Sequence, residues 1–244
     1  MHTSMRITEV FCAVAKWTAV GAMLGTLAAC ASAPPAAPAM TAADRQAVVD
    51  APIRTDADRK MDAARHPVDF LAFTQVQPGM QVLALAVGPA GKVWAQREQP
   101  GAALTRRLAD QPQANVEVLI RPFEDPYPAA GPPLDLVTLV LNYHDITYLP
   151  VDRAKMNARI FAALKPGGRF VVIDHSAKAG ADISSGKTLH RIDQAIVVSE
   201  VTRAGFVLEA EGDFLRDPAD TREVSSGDSR IPTDKFALRF VKPR

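Results

Sequence analysis

Two short phrases in the chain carry groups that can move protons. Asn142-Tyr143-His144-Asp145 follows the apolar run LDLVTLVL, and Asp174-His175-Ser176 closes the run RFVVID. An imidazole titrates near neutral pH, so His144 and His175 are each suited to take a proton from a hydroxyl or an amine. Tyr143, His144, Asp145 and His175 are therefore the candidate catalytic residues. The plainer alternative is a set of polar residues capping strand ends. His144, Asp145, His175 and His190 could also supply metal ligands. No compact ligand spacing such as His-Glu-x-x-His occurs, and the reading adopted has no metal. Arg191 could pair with Asp145 or Asp174, with a surface salt bridge as the simpler expectation. Further acids follow other apolar runs: Glu98 after KVWAQ, and Glu124-Asp125 after VEVLI.

These groups need a scaffold, and the chain reads as alternating helices and strands. Residues 56–64 are polar and helix-forming, and Pro67 opens a short helix over 68–73. Residues 80–87 (MQVLALAV) form an apolar run between the turns Pro78-Gly79 and Gly88-Pro89-Ala90-Gly91. Strands are expected at 92–96, 116–120, 134–141 and 169–174, the last two apolar enough to be covered on both faces. A helix is expected at 102–110. Asp152 caps another, in which Met156, Ile160 and Leu164 share one face before Lys165-Pro166-Gly167-Gly168 stops it. Ser184 or Ser185 precedes a long helix with Leu189, Ile192, Ile196, Val197 and Val201 on one side, ended by Gly205. Strands at 206–214 and 236–241 have no clear helix between them, so they pair antiparallel at an edge. The fold class is α/β: a mostly parallel sheet with helices on both faces and an antiparallel C-terminal edge pair.

Composition narrows the function. Lys and Arg number 28 against 27 Asp and Glu, which excludes an electrostatically driven nucleic-acid binder. Cys12 and Cys30 both precede the folded region, so a disulfide-stapled domain and a cysteine-based metal cluster are excluded. There is no Gly-x-Ser-x-Gly elbow and no phosphate-binding GxxxxGK[ST] loop. Residues 1–29 read as an export signal: Arg6 and Lys16 precede an apolar run over 17–29. The junction Leu27-Ala28-Ala29-Cys30 resembles the bacterial lipobox, in which the cysteine is lipidated and becomes the mature N-terminus. The alternative is an ordinary signal cut near Ala31-Ser32-Ala33. Removing Arg6, Lys16 and Glu9 leaves the two signs balanced, so the acyl chains alone would anchor the protein, on the periplasmic side of the envelope at the outer membrane. Residues 30–43, rich in Pro and Ala, form an extended tether, and 44–244 form one domain.

Three stretches, LDLVTLVLNYHD, ALKPGGRFVVIDH and AGFVLEAEGDFL…DKFALRFVKP, resemble the class I S-adenosylmethionine-dependent methyltransferases. The similarity is to a bacterial group carrying Tyr-His-Asp after the fourth strand and Asp-His-Ser after the fifth, and also a phrase like Lys187-Thr188-Leu189-His190-Arg191-Ile192-Asp193. It runs over residues 56–243. The resemblance implies a Rossmann-like methyltransferase sheet, S-adenosylmethionine as cofactor, and a small-molecule acceptor. It places Tyr143 and His144 at that acceptor, Glu98 on the cofactor's ribose and Glu124 or Asp125 at its adenine, with Asn142 a further cofactor-binding residue. Glu98 as a solvated loop charge and Glu124-Asp125 as turn acids are the simpler alternatives.

One stretch departs from that pattern. The family's first strand ends in an acid and a Gly-rich loop that opens a helix at the cofactor. Here the equivalent stretch, MQVLALAVGPAG, has no acid and no Gly-x-Gly. A first strand over 80–85 leaves only 86–91 before the next, against the dozen or so residues of a parallel crossover. The expectation is a truncated first strand–helix unit, with apolar surface uncovered near Leu83, Leu85 and Val87. A lipid-anchored relative that keeps the scaffold but has lost cofactor binding is the competing reading of function.

Overall fold

The computed structural model describes residues 39–83, 91–228 and 232–244. Cys30, the export signal and most of the tether lie outside the described residues, as do Leu85 and Val87. Among the described residues no helix is long and apolar enough to cross a membrane.

Seven strands form one sheet in the order β3-β2-β1-β4-β5-β7-β6. They are β1 (Gln81–Leu83), β2 (Lys92–Arg97), β3 (Val116–Ile120), β4 (Leu134–Val140), β5 (Leu164–His175), β6 (Val207–Gly212) and β7 (Lys235–Val241). The first five run parallel. β7 is antiparallel to both β5 and β6, the C-terminal pairing expected from the sequence. Side chains alternate along a strand, so consecutive residues serve opposite faces. Phe170 and Val172 of β5 pack with Met156 and Ile160 of α7 (Arg153–Ala163) and Val197 and Val201 of α9 (Gln194–Arg203). Val171 and Ile173 pack on the other face with Val49 of α1 (Ala42–Asp50) and Leu71 of α4 (Pro67–Thr74). Thr41 caps α1 reciprocally with Asp44, so ordered structure begins inside the stretch read as tether. Two short helices, α2 (Asp56–Lys60) and α3 (Asp62–Arg65), occupy the segment read as one helix.

The first strand is short but present. β1 pairs in parallel with β2, Gln81 opposite Lys92, although only residues 84–91 connect them. This corrects the expectation that so short a link forbids a parallel pair. The dozen-residue minimum applies to a helix-bearing crossover over full-length strands. A three-residue strand advances only about 10 Å, less than the reach of a link of this length. Asp135 at the head of β4 anchors the strand by accepting from the Gln81 amide at 2.8 Å and from Lys165 Nζ at 2.6 Å. Leu83 is buried, contrary to the expectation of an uncovered patch there. Apolar side chains are exposed at Val118 and Ile120 of the edge strand β3, and the helix α5 (Ala102–Asp110) buries none of its residues.

α7 begins as expected, with the Asp152 side chain accepting from the Lys155 amide. Lys165-Pro166-Gly167-Gly168 is not a separate stop but the first part of β5, entered through Gly167 at φ 78°. The long helix read over 185–204 is two. α8 (Ser185–Leu189) ends at His190 in the left-handed region, and Asp193 caps α9. His190, Arg191 and Asp193 therefore lie in the connection between helices.

Candidate functional site

Strand order reverses between β1 and β4, and ligands of open α/β sheets bind outside the carboxyl ends of strands at such a switch point. A cleft of about 640 Å³ lies there. Leu83 from β1, Gln96 and Glu98 from the end of β2, and Val137 to Asn142 from β4 line it, with Phe123, Met156 and Ile160 supplying apolar wall. Glu98 is exposed on this wall. Gln96 is engaged elsewhere, donating from Nε2 to the Arg121 carbonyl at 2.6 Å. The loop after β3 reaches the cleft through Phe123 and Pro126 rather than through its acids. Asp125 is taken up by Arg121 and Arg159, which hold its carboxyl below the ordinary range, and Glu124 is half-buried outside the lining.

Beside the cleft, β4 ends in a sharp turn. Leu141 has φ 54°, uncommon for a residue without a short polar side chain. Its amide is held by the Ile173 carbonyl of β5 at 2.8 Å. The turn delivers Asn142 into the one-turn helix α6 (Tyr143–Ile146). Asn142 lines the cleft, and its Nδ2 lies 3.5 Å from Asp145 Oδ2. That contact joins the cleft to a cluster of histidines.

The hub of the cluster is Asp174, fully buried at the end of β5. It accepts from the backbone amides of His144 at 2.8 Å and His175 at 2.7 Å, and His144 Nδ1 lies 2.6 Å from it. His144 Nε2 is 3.2 Å from Asp145 Oδ1, so the ring sits between two carboxylates. Burial lowers the affinity of His144 for a proton, but Asp174 and Asp145 outweigh it and the net shift is upward. His175 behaves in the opposite way. Burial, then Lys235 and His144, push it down to about 3, so it stays neutral with Nδ1 2.9 Å from Thr233 Oγ1. The two rings are 5.8 Å apart, so the structure brings together the pair expected at one edge of the sheet.

Asp145 gathers the remaining members. Tyr148 Oη donates to its Oδ1 at 2.6 Å, and His190 Nδ1 lies 3.2 Å from the same oxygen. α8 can bring His190 this close because Gly186 faces α6. A Cβ there would meet the His144 carbonyl at 2.6 Å and collide with Thr147 Oγ1.

Tyr143 does not join its neighbours. It is fully buried on the other side of α6, where its hydroxyl donates to Glu200 at 2.8 Å and accepts from Asn157 at 2.9 Å. Arg153 holds Glu200 through two bonds at 2.8 and 3.0 Å. Burial, chiefly, raises Tyr143 far above the usual phenol value, so it packs and donates rather than ionises. Arg191 is also unlike its expectation. It contacts neither Asp145 nor Asp174 and is not on the surface. Fully buried, it pairs with Asp220 at 2.7 and 3.1 Å. Tyr148 and Thr233 carry no signal in the sequence, and Asp174, expected only as part of the Asp-His-Ser phrase and as a possible partner of Arg191, is instead the hub. For Asp174 a signal existed, since an acid closing an otherwise apolar strand must find partners.

No protein-family model matches the chain, and no curated protein does. Solved structures do match. A SAM dependent methyltransferase from Aquifex aeolicus is 17% identical, with 83% of this chain and 99% of that one covered and a TM-score of 0.54. N-methyltransferase NodS from Bradyrhizobium japonicum WM9 is 13% identical, covering 77% and 99%, at 0.53. A SAM dependent methyltransferase from Mesorhizobium loti is 16% identical, covering 74% and 99%, at 0.52. At these identities the likeness is one of fold, and the fold is the Rossmann-like methyltransferase sheet.

Proposed function

We propose that this chain is an exported, lipid-anchored S-adenosylmethionine-dependent methyltransferase-like protein acting on a small acceptor. The observation that carries the reading is the adjacency of the switch-point cleft and the histidine cluster through Asn142 and Asp145. The cleft is of ligand size, and its lining suits a nucleoside. Phe123, Met156 and Ile160 offer apolar surface for a base, and Glu98 at the end of β2 offers a carboxylate to ribose hydroxyls. S-adenosylmethionine, when bound, supplies an electrophilic methyl group. The chain's own task is to hold the acceptor in line and to take up its proton. That proton falls to His144 and Asp145, with Asp174 fixing the His144 ring. Tyr143 serves this site only by holding α6 in place.

Calorimetric titration of the mature chain with S-adenosylmethionine tests the reading. Binding that weakens at least tenfold in Glu98→Gln supports it. One observation favours the second reading, a relative that keeps the scaffold but has lost cofactor binding: residues 80–91 hold no acid and no Gly-x-Gly. Absence of heat at millimolar cofactor would establish that alternative. Attachment through Cys30 predicts that Cys30→Ser leaves an unprocessed or soluble product. A Ser variant processed and sedimenting with membranes like the parent would refute the anchor.

A further inference from the structure

We infer that His144 Nε2, the Asp145 carboxylate and His190 Nδ1 form a binding site for a divalent cation of the zinc class. The inference stands on these donors alone and does not depend on the methyltransferase reading.

Two of the three donor separations are close to those around a shared ion. Each ring nitrogen lies 3.2 Å from Asp145 Oδ1, and one atom from each of the three residues falls within 4.8 Å of the others. A tetrahedral ion held at about 2.0–2.2 Å from each donor requires donors about 3.3–3.6 Å apart. Two imidazoles and one carboxylate suit a borderline cation such as zinc or cobalt, and three protein ligands leave a fourth position open for water or a substrate oxygen.

Independent features point to the same use. A metal-binding histidine ordinarily donates its second ring nitrogen to a carboxylate, which fixes tautomer and orientation. His144 Nδ1 is 2.6 Å from Asp174, which two backbone amides hold in turn. With an ion bound, that arrangement keeps the proton on Nδ1 and leaves the lone pair of Nε2 for the metal. Without an ion, Asp145 Oδ1 accepts from His144, His190 and Tyr148, and His144 carries protons on both nitrogens. A dication replaces two of those protons and is balanced by Asp145 and Asp174. His190 reaches the site as the left-handed C-cap of α8, φ 51° and ψ 48°. The His144 and His190 rings are perpendicular with centroids 5.6 Å apart, so they converge without stacking. His175 is not a ligand in this arrangement, since its Nδ1 is paired with Thr233. The sequence alone offered four donors without spacing; the fold selects three.

The test uses the untagged mature chain, stripped with chelator and titrated with cobalt(II) alone, then zinc(II) in competition. One equivalent should bind and give the intense visible bands of tetrahedral cobalt. His190→Asn keeps a residue tolerant of left-handed backbone and should weaken binding at least tenfold, with loss of those bands. Asp174→Asn should weaken it by about 10–100-fold, the usual cost of removing a carboxylate behind a ligand. His66→Ala, on the surface and remote in sequence, should change nothing. Should Asp174→Asn fail to fold, Asp145→Asn serves in its place. No binding by the unaltered chain, or binding undiminished in His190→Asn, would overturn the assignment.

Discussion

Asp220→Ala should unfold the protein far more readily than its position in a loop would suggest. Arg191 is fully buried, and its guanidinium donates to the Asp220 carboxylate at 2.7 and 3.1 Å, the Val224 carbonyl at 2.9 Å and the Ser176 carbonyl at 3.0 Å. Asp220 also accepts the amides of Arg222 at 2.9 Å and Asp234 at 2.7 Å. Truncation leaves a buried cation with two neutral acceptors and no counter-charge. Breaking such a pair from one side costs about 3–5 kcal/mol. Domain stabilities are about 5–15 kcal/mol, so this is a large share of the total. For a chain of this size it corresponds to a fall in Tm of about 6–20 °C. Urea denaturation followed by circular dichroism would measure it, with an unchanged m value showing that the folded state is otherwise intact. The double variant Arg191→Met, Asp220→Leu should recover most of the loss, because no charge is then stranded. A loss below about 1 kcal/mol for Asp220→Ala, the range of surface pairs, would refute the argument. So would a double variant no more stable than the single one.

Other consequences can be measured directly. Burial raises Glu200, but donation from Arg153 and Tyr143 outweighs it and holds the carboxyl below its ordinary 4.5. Its stabilisation is complete above that value and fades as pH falls through the lower folded value. Glu200→Gln should therefore cost about 1.5–3 kcal/mol at neutral pH and flatten the decline of Tm on acidification. Gly186→Ala should cost about 1–3 kcal/mol by forcing α8 from α6, and a shifted His190 imidazole resonance in NMR spectra would report the displacement. Phe206→Ala should cost about 3–5 kcal/mol in denaturant melts. It removes a buried ring packed against Phe161 at 5.0 Å and Phe170 at 5.6 Å.

Much of the scaffold was legible because it is written in local pattern. The apolar runs LDLVTLVL and RFVVID became central strands, and Asp152 capped α7 because a short acid at that position answers free amides within its own turn. That His144 and His175 would meet was legible as well. Both terminate apolar runs, and parallel neighbours end at the same edge. The helix break at His190 was not legible, since Leu189, Ile192 and Ile196 keep a plausible helical stripe across it. What decides the break is tertiary: Gly186 lets α8 close on α6, and the amide and carbonyl of Ile192 are taken by His175 and Ala177 rather than by a helix.

The sequence by itself determined the main strands and the start of α7, which faces are apolar, and which phrases end at the carboxyl edge of the sheet. The tertiary structure alone decided what each polar group at that edge does. Tyr143 and His144 are adjacent in the chain, yet one is buried against Glu200 and the other pairs with Asp174. Asp145 finds His190, and Arg191 turns inward to Asp220. These partners lie tens of residues apart, so no local period relates them. Strand order, register and the approach of two short helices fix their distances, and in a buried site distance decides which charges pair.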